Sequence, residues 1–323
     1  MNNQMLHDDF QPRIIVWQLT NKIDDYPKCV DSLEKYQYLL IIDSIARLSK
    51  PIIVLTGDHV IEHSNLQEIV EYGNALGLKL IIELLPEELN NEIIERYKCY
   101  GKRIFRLIID DAIIEDMDFR YKSTESFAKL EKAVKLLKEN LLDVHLSYTV
   151  KDLDIRKLTF AVDYAFRKGA KGIYFHFLFD RNIPPGSMFD NEIHSTDEFI
   201  GKLSEIKCLV PNDMYLSPQC VGYISSNNRQ RDIGAKNYPI WIHQCLAGKT
   251  FAFINQVGKV FVCSRMCKEC GDLKDVDYDF KNIWTNSEIL NYLREYSRSC
   301  EQTRALFKQE NIFNDYNHQI ING

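Results

Sequence analysis

The sequence has no excess of basic residues, because 40 Lys and Arg stand against 46 Asp and Glu for a net charge of −6. Without a basic field to attract phosphates, we expect no nucleic acid partner. The sequence also has no apolar run long enough to cross a bilayer, and its first residues lack the charged and apolar segments of a signal peptide. We therefore expect a cytoplasmic protein that contacts no membrane.

Cysteine is present, but not in the pattern of a disulfide framework. The count is nine, an odd number, and a cytosolic chain keeps its thiols reduced. Four of the nine cysteines fall between residues 245 and 270. Metal binding is therefore the leading interpretation of that region.

Apolar, β-rich runs alternate with amphipathic helical patterns from residue 13 to about residue 210. The six candidate strands begin at Arg13, Pro51, Leu78, Arg103, Asp143 and Lys171. This alternation is typical of repeated βα units around a parallel sheet. It predicts an α/β fold in which residues 1–210 form a partial (β/α)6 TIM barrel.

The periodicity stops after the barrel region. Residues 211–244 are rich in Asn, Ser, Gly and Arg, which predicts an irregular connection. A small module is expected at 245–323, with two short strand patterns, the clustered cysteines and a helix that begins near Ser287. The length of the chain suits one large domain with such an appendage.

Four cysteines of the C-terminal module have the arrangement of a metal site. Cys263, Cys267 and Cys270 follow the spacing C-x3-C-x2-C, which lets a short loop return three thiolates to one side. Cys245 precedes a hairpin pattern with Gly258 at its turn, and the hairpin would deliver a fourth thiolate to the same end. Iron-sulfur and zinc both stay open, because spacing alone does not select the metal.

These residues also carry a resemblance to a known family. The run from Cys245 to Cys263, the Gly-Asp-Leu step at 271–273 and the Ile-Trp helix at 282–294 resemble the SPASM or twitch extension of radical S-adenosylmethionine (SAM) maturases. That extension carries auxiliary iron-sulfur clusters. Full versions have a further cysteine group after the helix, whereas only Cys300 follows here. The resemblance therefore implies one [4Fe-4S] cluster, with Cys300 as a reserve ligand and zinc as the alternative metal.

The N-terminal half resembles the same superfamily, but it departs from the family where SAM is bound. The three cysteines that hold the SAM-binding cluster would fall at Ile23, Pro27 and Val30. The Gly-Gly-Glu-Pro turn, whose backbone in the family accepts the methionine amine, reads Gly57-Asp58-His59-Val60. A [4Fe-4S] cluster needs several thiolates, and without it no electron reaches SAM. The resemblance thus implies a degenerate member that does not use SAM.

Acidic residues after the fourth strand are candidates for partner binding. Asp110, Asp111, Asp118 and Arg120 fall in a loop at the barrel face where such proteins bind ligands. Asp118 and Arg120, which one residue separates, lie where the segment resembles the Asp-x-x-Arg stretch of the family. The acidic character predicts a basic peptide or partner. Helix capping by the aspartates, and a surface ion pair between Asp118 and Arg120, remain the structural alternatives.

Two further patterns allow both a structural and a functional interpretation. His59, Glu62 and His63 match H-x-x-E-H, an inverted zinc-protease pattern, although a solvated turn with a helix start is favoured because the stretch follows a strand. Tyr174 and His176 share one face of the sixth strand and would point into the barrel, with a core histidine as the favoured interpretation.

Two functional hypotheses follow. In the first, the chain is a pseudoenzyme that holds a peptide substrate or a partner enzyme during natural-product or cofactor maturation. In the second, it is an active enzyme that uses the C-terminal cluster or a site at the barrel mouth. Loss of the Gly-Gly-Glu-Pro turn favours the first hypothesis. We therefore assign no catalytic and no cofactor-binding residue from the sequence.

Overall fold

The computed structural model describes residues 10–20, 33–109, 113–114, 125–150, 154–177, 214–218, 246–263 and 266–296. The strands in these residues are β1 (Ile14–Thr20), β2 (Ile52–Gly57), β3 (Lys79–Leu84), β4 (Phe105–Ile109), β5 (His145–Val150), β6 (Gly172–Phe177), β7 (Tyr215–Pro218), β8 (Phe251–Ile254), β9 (Lys259–Cys263) and β10 (Met266–Asp272). The helices in them are α1 (Lys35–Leu48), α2 (Leu66–Ala75), α3 (Asn91–Tyr97), α4 (Glu125–Glu139), α5 (Ile155–Arg167), α6 (Phe280–Asn286) and α7 (Glu288–Tyr296).

The first seven strands form a parallel sheet in chain order. Each of β1 to β6 pairs with the next strand in parallel, and a helix lies between consecutive strands up to β6. Parallel neighbours require such crossovers, which explains the alternation seen in the sequence. All six predicted strands are confirmed, with ends that differ by one or two residues. The α/β fold is thus the one that the sequence predicts.

The sheet has a helix-covered side and an inner side. A Cβ atom added to Gly73 of α2 would lie 2.9 Å from Leu80 Cδ1, so Leu80 of β3 faces the helices. Side chains alternate along a strand, and Glu83 therefore faces the inner side. The helix-covered side is filled by buried Ile, Leu, Val and aromatic residues, among them Trp17, which the sequence analysis interprets as core.

The C-terminal strands extend this sheet. β8 pairs in parallel with the outer edge of β1, from Ile14 opposite Phe251 to Trp17 opposite Ile254. β8 and β9 form the predicted antiparallel hairpin, and Gly258 has φ +89° at its turn, where an L side chain would be strained. The boundary predicted at residue 245 stays a prediction, but the strands after it belong to the same sheet.

Two strands occur where the sequence predicts irregular structure. β7 lies inside the predicted connection 211–244 and pairs with β6, with Gly172 opposite Tyr215. β10 occupies the cysteine segment, which the sequence suggests is a loop, and pairs with β9 through two register shifts. β7 is only four residues long, and the polar sequence of β10 lacks the alternation that marks a strand.

Helices α6 and α7 attach the C-terminal segment to the rest of the protein. Trp284 of α6 is buried, as the sequence analysis expects, and its Nε1 donates a hydrogen bond of 2.8 Å to the Phe10 carbonyl. Ser44 of α1 donates to the Asp279 carboxylate, which also caps α6 by accepting from Lys281 N. Among the described residues, no helix is long and apolar enough to span a membrane.

Candidate functional site

The predicted metal ligands lie around β9 and β10. Cys263 is buried at the end of β9, and Cys270 is half-buried in β10. Cys267 belongs to β10, but its side chain is outside the described residues, as are Cys245 and Cys300. Among the side chains that the structure describes, no three His, Cys, Asp or Glu residues are grouped so that they could hold a metal. The four-thiolate centre therefore stays a prediction.

Arg294 of α7 gives the Cys270 region a fixed positive charge. Its side chain is buried, its Nε donates to the Gly248 carbonyl at 2.7 Å, and its guanidinium lies 4.6 Å from the Trp284 ring centroid. Burial raises the pKa of the Cys270 thiol above its usual range, and the Arg294 charge acts in the opposite direction. A thiolate in this position would need a neighbouring positive charge, such as the Arg294 guanidinium or a bound metal ion.

The same arginine fixes the chain close to Cys245. Gly248 has φ +69°, and a Cβ atom there would lie 2.9 Å from Leu290 Cδ2 of α7. The hydrogen bond from Arg294 to Gly248 therefore holds the segment just after Cys245 directly against α7. The residues that follow Cys245 in the chain and the arginine next to Cys270 are therefore in direct contact.

The ends of β1 and β2 meet at the turn that differs from the family pattern. Thr20 Oγ1 donates a hydrogen bond of 2.7 Å to the Asp58 carbonyl. Gly57 has φ +139°, and a Cβ atom there would lie 2.4 to 2.8 Å from Thr20 atoms. His59 follows in the left-handed region at φ +53°. The backbone of this turn is therefore closely packed against Thr20 of β1.

The H-x-x-E-H pattern does not lie on an α-helix. Residues 60–62 form one turn of 3-10 helix, and α2 begins only at residue 66. His63 Nε2 lies 3.0 Å from Tyr38 Oη, and His63 Nδ1 accepts a hydrogen bond of 3.2 Å from Asn65 N. Both ring nitrogens of His63 are thus engaged within the protein. This geometry agrees with the favoured interpretation of a turn before a helix.

The inner side of the sheet carries a buried ion pair that the sequence analysis does not identify. Glu83 of β3 and Arg106 of β4 are register partners, and Arg106 Nη1 lies 3.2 Å from Glu83 Oε2. Their side chains are only 7% and 4% exposed, respectively. Thr56 of β2 donates to Glu83 Oε1 at 3.3 Å. The sequence signal is a charged residue in the interior of each of two apolar strand runs.

This polar cluster continues across β5 and β6. The Arg106 guanidinium lies 3.9 Å from the Tyr174 ring centroid, and the His145 and Tyr174 rings are 5.9 Å apart. His145 is buried, and burial together with Arg106 and Arg103 lowers its pKa to about 4. Its imidazole is therefore neutral at physiological pH. Tyr174 faces the inner side as predicted, whereas the side chain of His176 is outside the described residues.

The candidate partner-binding residues cannot be placed. Asp110, Asp111, Asp118 and Arg120 all lie outside the described residues. Their part in binding stays a prediction. The described site thus consists of the cysteine region next to Arg294, the turn after β2, and the polar cluster on the inner side of the sheet.

Comparisons with known proteins agree with this architecture. No model of a known protein family matches the chain. The chain is 24% identical over 325 residues to a protein named AdoMet-dependent heme synthase from Methanosarcina barkeri, with 91% of each chain covered. It is 21% identical over 329 residues to a protein of the same name from Oleidesulfovibrio alaskensis, with 93% of this chain and 82% of the relative covered.

Solved structures with the same fold include SAM-bound proteins. SuiB of Streptococcus suis bound to S-adenosylmethionine superposes with a TM-score of 0.63 at 10% identity, covering 90% of this chain and 69% of SuiB. Native anSMEcpe with bound AdoMet and the Cp18Cys peptide superposes with a TM-score of 0.51 at 11% identity, covering 97% and 99% of the two chains. These likenesses show the fold, an α/β partial barrel with a mostly parallel sheet.

Proposed function

We propose that the chain is a binding protein on a radical-SAM-like partial barrel that does not cleave SAM. In this proposal it keeps one auxiliary [4Fe-4S] cluster and holds a peptide substrate or a partner enzyme during natural-product or cofactor maturation. The observation that carries the proposal is the presence of Ile23, Pro27 and Val30 where the family has its three cluster cysteines. None of these side chains can ligate iron.

The turn after β2 supports the loss of SAM chemistry independently. The family uses the backbone of a Gly-Gly-Glu-Pro turn for the methionine amine, whereas Asp58 stands within this turn and its carbonyl accepts the Thr20 hydroxyl. Asp58 also brings a side chain to a position that is glycine in the family. Two separate parts of the SAM site thus differ from the family in the same chain.

The relatives and structural neighbours support a role in maturation. The relatives bear the name of a heme synthase, which favours cofactor maturation. SuiB has also been solved with its precursor peptide SuiA, and anSMEcpe with the Cp18Cys peptide, which favours a peptide partner. Cofactor maturation and peptide maturation would both require a barrel that binds the molecule being matured or the enzyme that matures it.

The cluster assigned to Cys245, Cys263, Cys267 and Cys270 would be structural or would relay electrons. Zinc is the alternative occupant, because the same four thiolates suit either metal. The burial of Cys263, the half-buried position of Cys270 and the neighbouring Arg294 charge suit thiolates that are bound to a metal. When bound, an iron-sulfur cluster supplies one-electron transfer, and the residues described here would fix its position against α7.

Reduced protein is expected to produce no 5′-deoxyadenosine from SAM above a protein-free control. The reason is that no cysteine set is available at residues 23–30 to hold the SAM-binding cluster. The measurement is chromatography of anaerobic reactions with reconstituted protein, reductant and SAM. Cys267→Ala serves as the matched variant. Catalytic production of 5′-deoxyadenosine that disappears in this variant would replace the proposal with an active enzyme that uses the C-terminal cluster.

Charge reversal in the loop after β4 is expected to weaken partner binding. Asp110→Lys with Asp111→Lys should reduce recovery of a basic partner at least 10-fold in co-purification from the source cell, because opposite charges steer and orient such contacts. Glu92→Lys with Glu95→Lys on α3 is the control, since it changes the net charge equally at another surface. Unchanged recovery in the Asp110 and Asp111 variant would contradict this assignment of the binding surface.

A further inference from the structure

Buried polar atoms without partners lie on the inner side of the sheet. His145 is 4% exposed, and neither its Nδ1 nor its Nε2 has a hydrogen-bond partner. Arg106 is also 4% exposed, and its Nε has no partner. Leaving one such group unsatisfied costs about 1–3 kcal/mol, so native proteins rarely do it without a reason. Three such atoms in adjacent residues indicate a position that a ligand completes.

His145 and Arg106 are neighbours on two adjacent strands. The register of β4 with β5 puts Leu107 opposite Leu146, which makes Arg106 and His145 neighbours on the inner side. Tyr174 lies next to both and is only half-buried, so the cluster adjoins a partly exposed surface. The cluster thus lies on the opposite side of the sheet from the apolar core that the helices cover.

Gly172 lies directly against the histidine ring. It is the register partner of His145, and a Cβ atom at this position would lie 3.2 Å from His145 Nδ1 and 3.3 Å from Tyr174 Cε2. Gly172 does not have a positive φ, so the backbone does not require glycine there. The absence of a side chain lets the His145 ring, Tyr174 and Tyr215 pack closely against the β6 backbone.

Burial and the charges around the cluster determine the protonation state of the histidine. Glu83 balances Arg106, and Asp143 lies 3.5 Å from Arg103. The two arginines nevertheless affect the His145 ring more strongly than Asp143 does, because their charges lower its pKa after burial has done so. The ring is thus neutral and can donate one hydrogen bond from an N–H. The Arg106 Nε–H is a second donor, and two such donors suit the two oxygens of a carboxylate.

We infer that His145 and Arg106, next to Tyr174 and Gly172, form a binding site for the carboxylate of a small organic acid. The site deepens the binding role proposed above by giving the barrel interior a ligand of defined chemistry. The carboxylate could belong to a free organic acid, to an amino acid or to SAM. The group that binds is the same in each case, and the experiment separates these sources.

The test is a titration of 15N-histidine-labelled protein, followed by NMR at pH 7.5. The probes are succinate, L-methionine and SAM, each added separately, with succinamide and L-methioninamide as analogues without the carboxylate. Any probe that binds should shift the His145 ring nitrogens, and its amide analogue should bind at least 10-fold more weakly. His63 is the internal control, because both of its nitrogens are already engaged and should not shift.

Two variants locate the binding on the cluster. His145→Leu removes one donor, and Gly172→Ala brings a methyl group to the histidine nitrogen while every polar group stays. Each is expected to weaken the binding probe at least 10-fold. If His145→Leu does not fold, Gly172→Ala and the wild-type titration still decide the question.

The outcomes separate this site from the proposed function. The inference is overturned if none of the three carboxylates shifts the His145 signals at about 10 mM, a concentration well above the Kd of a specific small-molecule site. It is also overturned if the amides bind equally well, or if Gly172→Ala leaves the affinity unchanged. Recovery of a partner without carboxylate binding would leave the proposed function in place and remove only this site. Carboxylate binding together with SAM cleavage would support this site and contradict the proposed function.

Discussion

Glu83→Ala is expected to lower the free energy of unfolding by about 3–5 kcal/mol. The substitution leaves the Arg106 guanidinium buried without its carboxylate partner, since both side chains are less than 10% exposed. An uncompensated charge of this kind loses its hydration without gaining a carboxylate partner. Urea denaturation followed by circular dichroism measures the effect as a lower transition midpoint with an unchanged slope.

The matched control replaces both partners. Glu83→Leu with Arg106→Met fills a similar volume with apolar groups, and we expect its stability to lie within about 1 kcal/mol of the wild type or above it. This result would mean that the pair is not needed to hold the barrel together. A single-variant cost below about 1 kcal/mol would contradict the buried geometry of the pair.

Removing two predicted thiolates is expected to abolish metal binding. Anaerobically reconstituted wild-type protein should contain about four irons per chain with visible charge-transfer absorption, as one [4Fe-4S] cluster requires. Cys263→Ala with Cys267→Ala should lose this iron and the absorption. It should also lower the stability of the C-terminal segment, because metal binding and folding are coupled. Iron and sulfide analysis with visible spectroscopy provides the measurement.

Cys99→Ala is the control for this experiment. Cys99 is an exposed cysteine away from β9 and β10, so its removal should leave the metal content unchanged. Stoichiometric zinc without iron in the wild-type protein would contradict the iron-sulfur assignment while retaining the ligands. Full iron content in the double variant would instead show that other residues hold the metal.

Local sequence patterns predict the barrel well because each strand is specified within its own segment. The runs that begin at Arg13 and Pro51 become β1 and β2 with their ends shifted by one residue. The hairpin turn at Gly258 is also a local signal. The prediction fails for β10, where pairing with β9 overrides a polar sequence.

The inner-side cluster could not be predicted from one sequence. Glu83 and Arg106 lie in the interiors of separate apolar runs, and only the register of β3 with β4 makes them partners. Likewise, the reason for a glycine at position 172 becomes visible only when His145 is seen opposite it on β5. Spacing along the chain does identify the cysteine motif, because its members are close in sequence. Residues that meet through strand register carry no such signal.

The parallel pairing of β8 with β1 has a consequence for the order of folding. β1 acquires its β2 neighbour early in synthesis, but its other neighbour begins at Phe251. At ordinary translation rates of about 5–20 residues per second, the backbone amides and carbonyls on that edge of β1 wait roughly 10–50 s for their partner. Such an edge can recruit strands from other chains. Until β8 is synthesised, this edge of the nascent barrel is therefore open to such pairing, and a chain that stopped before residue 251 would keep it open.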